Sequence, residues 1–139
     1  MKINRRSCLT GLFSLPLLPS VASRQETKAA SLIVHARKQI GVTTLYDAAY
    51  VALDYPGGDV PEDRGVCIDV IIRAYRDAFD FDFQKHIHED MAAHFEAYPK
   101  RWGLTRTDRN IDHRRVPNVE TWLERYGHEL PAQNWQPGD

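Results

Sequence analysis

Cys67 is the residue whose type and position could most directly perform chemistry. It follows the turn-forming run GGDVPEDRG and begins an amphipathic segment that extends to Phe79. With Gly65 as the helix cap, Cys67 would be the second helical residue. Free backbone N–H groups and the positive end of the helix dipole favour a thiolate there, which is the nucleophilic form of cysteine. The position is therefore typical of a cysteine nucleophile.

The same pattern is also compatible with a buried, unreactive cysteine. Cys67, Val70, Ile71, Ala74 and Ala78 recur at spacings of three and four, which places them on one helical face. Free cysteine is among the most buried residue types, so a small core residue would fit equally well. The helix pattern leaves both roles open.

A cysteine nucleophile needs a base, usually a histidine that a third polar group orients. His113 is the candidate base, because it lies in the polar, aperiodic segment NIDHRRVPN beside Asp112. We expect this segment to pack near the start of the Cys67 helix. The alternative is a surface loop in which Asp112 pairs with the neighbouring arginines.

A second group of polar residues recurs every four positions along the next predicted helix, at His86, Asp90 and His94. Neighbouring members could share a metal, but the two ends lie about 12 Å apart by helical rise and cannot bind one ion together. A solvated helix face is the favoured interpretation. We expect no metal and no cofactor.

The elements that must position these residues are mostly helical. Helices are predicted over 31–41, 66–79, 83–98 and 119–127. Gly41 should end the first, Pro99 should limit the third, and Asn118 should cap the last. Along the Cys67 helix, Asp69 and Arg73 are spaced to pair on the outer side. The segment 42–55 could be a short helix or a strand.

Composition limits the class of protein. The 139 residues suffice for one domain, and the 18 basic residues nearly balance the 19 acidic ones, which argues against nucleic-acid binding. No apolar run reaches the roughly 18 residues that a membrane-spanning helix needs, so we expect no stable anchor after processing.

Residues 1–23 have the order of a secretory signal. A basic start, MKINRR, precedes a modest apolar stretch and small residues that suit cleavage after Ala22 or Ser23. The pair Arg5-Arg6 resembles a twin-arginine signal, and the general export route stays equally open. Cys8 would leave with the signal, so the exported, periplasmic chain would keep Cys67 alone.

Three stretches resemble a known family: GGDVPEDRGVCIDVIIRAYRDAF, HEDMAAHFEAYPKRWGL and DRNIDHRRVPNVETW. They are similar to domain-of-unknown-function family 1287, exported bacterial proteins that are grouped with NlpC-type cell-wall peptidases in the papain-like superfold. The resemblance spans about Ser31 to Asp139. It implies an α+β fold in which a cysteine, matched by Cys67, begins a central helix that packs against an antiparallel sheet. The family's catalytic histidine lies on a later strand.

This sequence departs from the family pattern at its end. In the family, a PGD sequence introduces the strands, whereas Pro137-Gly138-Asp139 ends this chain. We therefore expect residues 24–139 to form an incomplete papain-like domain, mostly helical, with the C-terminal sheet largely missing.

The resemblance implies an exported cysteine hydrolase that acts on peptidoglycan peptide or another amide bond, and the missing strands predict that this chain is an inactive truncation. The alternative is a non-catalytic binding domain of the cell envelope. In that interpretation Cys67 is a core residue and the region of Arg114 and Arg115 contacts an anionic partner.

Overall fold

The structure is a computed structural model that describes residues 21–127 and Pro137. The helices are α1 (Val21–Lys38), α2 (Cys67–Phe79), α3 (Phe83–Ala93) and α4 (Val116–Tyr126), the strands are β1 (Leu45–Tyr46) and β2 (Arg64–Gly65), and short 3-10 turns cover Phe95–Ala97, Arg101–Gly103 and Asp112–Arg114. Residues 1–20 of the signal predicted over 1–23 lie outside the described residues, as do His128 and the final Gly138-Asp139. The described part thus combines helices with a small sheet.

The first predicted helix is confirmed over residues 31–38, although its bounds differ. α1 begins at Val21, ten residues before the predicted start, and ends at Lys38 rather than at Gly41. It packs along α2, where Gln39 Nε2 donates a hydrogen bond to the carbonyl of Val70 at 2.8 Å.

The segment that could have been helix or strand contains β1 and leads directly to the start of α2. β1 pairs with β2 in parallel register, with Leu45 opposite Arg64 and Tyr46 opposite Gly65. The Asp47 N–H donates to the carbonyl of Gly65 at 3.0 Å. The chain around residue 47 therefore lies beside the turn from which α2 begins.

The helix predicted over 66–79 is confirmed to within one residue, but its cap was predicted wrongly. Val66, in extended backbone with φ −108°, precedes the first helical residue. The Asp69 carboxylate accepts the Val66 N–H at 2.7 Å, which satisfies a backbone donor that has no partner inside the helix. Cys67 is consequently the first helical residue and not the second.

The buried face of α2 is rotated from the predicted one. Ile68, Ile72 and Ala74 are buried, whereas Ile71 is 43% exposed. Cys67 is exposed. The interpretation of Cys67 as a core residue is therefore wrong, because the apolar spacing of three and four fitted two overlapping faces and the core uses the other one.

α3 begins at Phe83 as predicted, and the Asp82 side chain caps it by accepting the Lys85 N–H. It ends at Ala93, several residues before the predicted end at Tyr98. His94 leaves the helix with φ −133°, and its Nδ1 lies 2.8 Å from an Asp90 carboxylate oxygen. That contact holds His94 against the last turn.

α4 begins at Val116, earlier than predicted, with Pro117 in its first turn. Asn118 is therefore not the cap. It is a buried helical residue whose Nδ2 donates to the carbonyl of Asp112 at 3.0 Å. The end of the helix at Gly127 is confirmed.

A single apolar core joins α2, α3 and α4. Its buried members are Ile68, Ile72, Phe83, Ile87, Met91, Tyr98 and Val119. Partly buried aromatic residues extend it, and Trp122 packs against Phe81 and Phe83 with ring centroids 5.6 and 5.9 Å apart. The first turn of α2 lies at the end of this core, which is where the candidate site is built.

Candidate functional site

Cys67 is an exposed free thiol at the first residue of α2. The free N–H groups of the first helical turn and the positive end of the helix dipole lie around this position. Ile68, the next residue, is buried in the apolar core and therefore anchors the first turn of α2. The helix is thus anchored as a scaffold while its first side chain faces outward.

Gly65 permits a close approach between the backbone before α2 and the Asp69 carboxylate. Gly65 has a φ of +153°, and a Cβ atom there would lie 2.8 Å from Asp69 Oδ2. The carboxylate could not stay against the Val66 N–H if a side chain occupied that space. A glycine two residues before Cys67 is therefore required by the geometry of the turn.

A buried ion pair connects the first turn of α2 to the segment that contains His113. Arg114 Nε and Nη2 donate to the two carboxylate oxygens of Asp69, each at 2.9 Å. The two side chains are 2% and 3% exposed. Arg114 also donates to the backbone carbonyls of Asp47 and Ala49. The Arg114 side chain thereby joins three segments around the start of the Cys67 helix.

A second ion cluster fixes the loop that approaches Cys67. Arg73 donates to both carboxylate oxygens of Asp59, at 2.9 and 3.2 Å, and Arg76 Nη1 donates to the same carboxylate at 2.9 Å. Arg73 Nη2 also lies 3.0 Å from the carbonyl of Arg64. The expected Asp69–Arg73 pair on the outer side of α2 is wrong, because each of these buried side chains pairs with a loop residue instead.

A cavity of about 130 Å³ lies between the segment 47–51 after β1, the segment 60–64 before α2, and Arg114. Its lining includes apolar side chains and three charged ones: Asp47, Ala49, Val51, Val60, Pro61, Arg64 and Arg114. Arg64 Nη1 lies 3.5 Å from Asp47 Oδ2, so the charged groups face one another across the lining. The volume suffices for several water molecules or a small aliphatic group.

His113 is buried, with 1% exposure. Its Nδ1 has no hydrogen-bond partner among the described residues, and no hydrogen bond joins its ring to Cys67 within that part of the chain. Burial lowers the pKa of His113 to about 4, although the nearby Asp69 charge opposes this. The histidine is therefore neutral at pH 7 and enclosed, while its neighbour Arg114 makes the contact with the first turn of α2.

His88 and Asp112 form a pair that the sequence did not reveal. His88 Nδ1 lies 3.0 Å from Asp112 Oδ2, and the Asp112 side chain is fully buried. Burial raises the pKa of Asp112, and the contact with His88 partly offsets that effect. Asp112 Oδ2 also accepts the Asp108 N–H at 2.7 Å. The surface-loop alternative required Asp112 to pair with Arg114 or Arg115, but its carboxylate pairs with His88 instead. The sequence did not reveal this pair, because no helix or strand spacing connects positions 88 and 112.

The stripe of His86, Asp90 and His94 is not the solvated helix face that was expected, because the Asp90 side chain is buried. The His86 ring stacks on Phe81 at 4.5 Å between centroids, and His94 contacts Asp90 directly. Among residues 21–127, no group of three or more suitable side chains could hold a metal ion. In the same part of the chain, no helix has the length and apolar character that crossing a membrane requires.

The alternative role for Arg114 and Arg115, contact with an anionic partner, stays a prediction, and the two side chains differ in their surroundings. Arg114 is buried against Asp69, and the Arg115 guanidinium lies over the Trp102 ring at 4.7 Å from its centroid. The Arg114 charge is therefore matched by Asp69, whereas the contact with the Trp102 ring does not neutralise Arg115.

Comparisons with known proteins agree with the family resemblance. Residues 33–139 match the family model described as Domain of unknown function (DUF1287). "Uncharacterized protein YijF" of Escherichia coli (strain K12) is 51% identical over 125 residues, which cover 87% of this chain and 60% of the relative. The chain thus spans about 60% of the length of that curated relative. No solved structure gives a significant match. On this evidence the chain belongs to the DUF1287 family.

Proposed function

We propose that the chain is part of an exported papain-like cysteine hydrolase in which Cys67 is the nucleophile. The observation that carries the proposal is the exposed thiol at the first residue of α2, on a turn fixed by the Asp69–Arg114 pair. Cysteine hydrolases need such a rigid turn, because the sulfur must meet a carbonyl carbon at a defined distance and angle.

The reaction would be hydrolysis of an amide bond in two steps. The Cys67 thiolate attacks the carbonyl carbon, the C–N bond breaks, and the leaving amine takes a proton from a histidine that acts as general acid. Water then attacks the thioester carbon, which releases the carboxylate and regenerates the thiolate. The free backbone N–H groups at the start of α2 would stabilise the oxyanion that develops in each step.

The proposed substrate class is the peptide part of peptidoglycan. The basic, apolar and small-residue order of residues 1–23 favours export to the periplasm, where this polymer is found. The substrate class otherwise rests on the NlpC-type resemblance, since Cys67 is not among the residues that line the cavity of about 130 Å³.

This chain should be inactive by itself. His113 is enclosed and has a pKa of about 4, which makes it a weak base at neutral pH. The papain-like resemblance assigns the catalytic histidine to a strand that follows the PGD sequence rather than to His113. A thiolate without this proton donor can attack an amide but cannot readily release the amine.

Hydrolysis of purified muropeptides tests the proposal. The 139-residue chain should release no product, while a longer form that includes the histidine-bearing strands should show turnover that disappears in its Cys67→Ala variant. A Cys67→Ser variant of the longer form, which keeps the size of the side chain, controls for loss of packing.

Two outcomes would contradict the proposal in different ways. Cys67-dependent turnover by the short chain would show that its own residues, with His113 as the leading base, complete the site. Absence of turnover in a folded longer form would remove the hydrolase assignment.

A further inference from the structure

Trp102 has an unusual backbone conformation in the exposed part of the loop between α3 and α4. Its φ of 59° and ψ of 26° lie in the left-handed region, which a bulky side chain rarely adopts, and Gly103 follows with a φ of 66°. Trp102 is also 60% exposed, so burial in the core does not offset the strain. A lone exposed apolar residue is ordinary, whereas a strained and exposed indole indicates a role outside the apolar core.

The segment that carries Trp102 is strongly cationic, although the chain as a whole is not. Residues 99–115 contain six lysine and arginine residues against two aspartates, whereas the whole chain has a formal net charge of −1. One of the two aspartates, Asp112, is buried against His88 and adds no negative charge to the surface. Positive charge is therefore concentrated in this part of the molecule.

Most of these cations have no carboxylate partner. Within residues 21–127, two of the six form an ion pair: Arg114 with Asp69 and Lys100 with Glu96. The other four are Arg101, Arg106, Arg109 and Arg115. The first three of these four are exposed, so their charge is available to a partner in solution.

Arg115 brings positive charge and the exposed indole together. Its guanidinium lies 4.7 Å from the centroid of the Trp102 ring, and its buried Nη1 has no hydrogen-bond partner among the described residues. The ring attracts the cation but does not neutralise it. We call residues 99–107 the Trp102 loop. This loop presents an apolar ring beside positive charge that no carboxylate in the described part of the chain balances.

An acidic membrane surface is the partner that this combination fits. Tryptophan is favoured at the interface between membrane and water, because its ring is apolar while its N–H stays hydrated. Lysine and arginine are attracted to anionic lipid headgroups, and their apolar stems are tolerated there. A neutral sugar polymer could stack on the indole, but it would not account for the concentrated positive charge.

We propose that the Trp102 loop is a peripheral docking site for anionic phospholipid bilayers, in which the Trp102 indole enters the headgroup region while Arg101 and Arg106 lie against lipid phosphates. This inference goes beyond the proposed hydrolase function and does not depend on Cys67. Binding of this kind is reversible and lies on the membrane, because one indole and a few cations bury far less apolar surface than a membrane-spanning helix.

Co-sedimentation with lipid vesicles tests the proposal. The folded chain should bind vesicles of phosphatidylcholine and phosphatidylglycerol in equal parts more tightly than vesicles of phosphatidylcholine alone. Added sodium chloride should weaken the binding, because salt screens the attraction between the loop and the lipid phosphates. The apolar part of the signal would itself bind lipid. The form that begins at Arg24, which signal cleavage would leave, is therefore measured beside the full chain.

Trp102→Gly separates a lipid contact from a purely structural role. The variant should lower the vesicle partition coefficient about tenfold, because no indole leaves water on binding. Its melting temperature should stay close to that of the original chain, since glycine adopts the left-handed conformation without strain. A purely structural role predicts the opposite pattern, a lower melting temperature with unchanged binding, and that result would overturn the proposal.

Two variants of equal charge locate the electrostatic contact. Arg101→Gln should weaken binding about fivefold, whereas Arg37→Gln removes the same charge from an exposed position on α1 and should have little effect. A larger loss for Arg101→Gln supports the proposal. Equal effects of the two variants, or binding of the folded chain to purified peptidoglycan but not to acidic vesicles, would refute it. Neither result depends on hydrolysis, so the hydrolase proposal stands or fails separately.

Discussion

Asp69 and Arg73 show why residue types alone did not define the site. Their spacing of four indicated a mutual pair on the solvent side of α2, yet both are buried and each binds a residue distant in sequence. Spacing identifies which residues share a face but not which face a third segment will cover. A prediction from sequence places charged residues outside the core, because an unpaired charge is costly to bury. Asp69 and Arg73 could be assigned to the interior only once their partners were known.

The sequence predicted the position of Cys67 in its helix better than it predicted the role of the side chain. Its place at the start of a helix followed from the change between turn-forming and periodic sequence, and the structure confirms it to within one residue. Its exposure did not follow from the pattern, because the apolar positions of α2 fit two faces. The roles of Cys67 and His113 in catalysis stay predictions.

His113 should make the stability of the fold depend on pH. Its folded-state pKa of about 4 lies below the value of about 6.5 expected for the unfolded chain. Between these values the unfolded state binds more protons, so the free energy of unfolding should fall as the pH decreases from about 6.5 to 4. The full effect should reach about 3 kcal/mol.

Urea unfolding at several pH values measures this effect. His113→Gln, which has no titrating ring, should flatten the decline between pH 6.5 and 4 even if it lowers stability at pH 7. His86→Gln is the matched control, since His86 is exposed and should leave the slope unchanged. An identical slope in the original chain and in His113→Gln would contradict the assignment.

At the scale of elements, the ends of helices were predicted best where backbone chemistry marks them. Gly127 ends α4 as expected, because glycine is favoured after a last helical turn. α3 ended early because His94 bends back to Asp90, and α4 began early because Pro117 fits its first turn. A contact such as the one between His94 and Asp90 is not visible in a sequence pattern.

The rotated face of α2 gives a direct test with adjacent isoleucines. Ile72 is 2% exposed in the core, so Ile72→Ala should lower the free energy of unfolding by about 2–5 kcal/mol. Ile71 is 43% exposed, and Ile71→Ala should cost less than about 1 kcal/mol, since little apolar surface is lost. Urea denaturation of the two variants measures both, and equal losses would contradict the assigned face.

At the scale of the whole molecule, the long region between α3 and α4 is held by side chains rather than by regular structure. Of the three tryptophans, Trp122 packs in the aromatic cluster with Phe81 and Phe83. Trp102 is 60% exposed and contacts Arg115, and Trp135 lies outside the described residues. The main anchor is a buried carboxylate, Asp90, that the sequence assigned to a solvated face.

Asp90 accepts hydrogen bonds from two other parts of the chain, the loop after α3 and helix α4. Tyr98 donates from the loop after α3 at 2.6 Å, Arg125 donates from α4 at 2.8 and 3.2 Å, and Tyr126 donates from the same helix. Burial raises the pKa of Asp90, but these hydrogen bonds together lower it below its usual range. The charged form is therefore the one that the folded state stabilises.

Replacing Asp90 should loosen α4 from α3. Asp90→Asn keeps the shape but removes the charge that Arg125 and two tyrosine hydroxyls share, so the free energy of unfolding should fall by about 2–4 kcal/mol at pH 7. Glu89→Gln, the neighbouring carboxylate on the exposed side, should change it by less than about 0.5 kcal/mol.

The stability of the same two variants at low pH provides a second test. The contribution of Asp90 is present above its unfolded-state pKa near 4 and should be lost as the pH falls further, because its folded-state pKa lies lower. From pH 4 down to pH 2 the difference in stability between the original chain and Asp90→Asn should therefore shrink, while Glu89→Gln stays parallel to the original. Curves that stay equally separated at every pH would mean that Asp90 stabilises the loop through packing rather than through its charge.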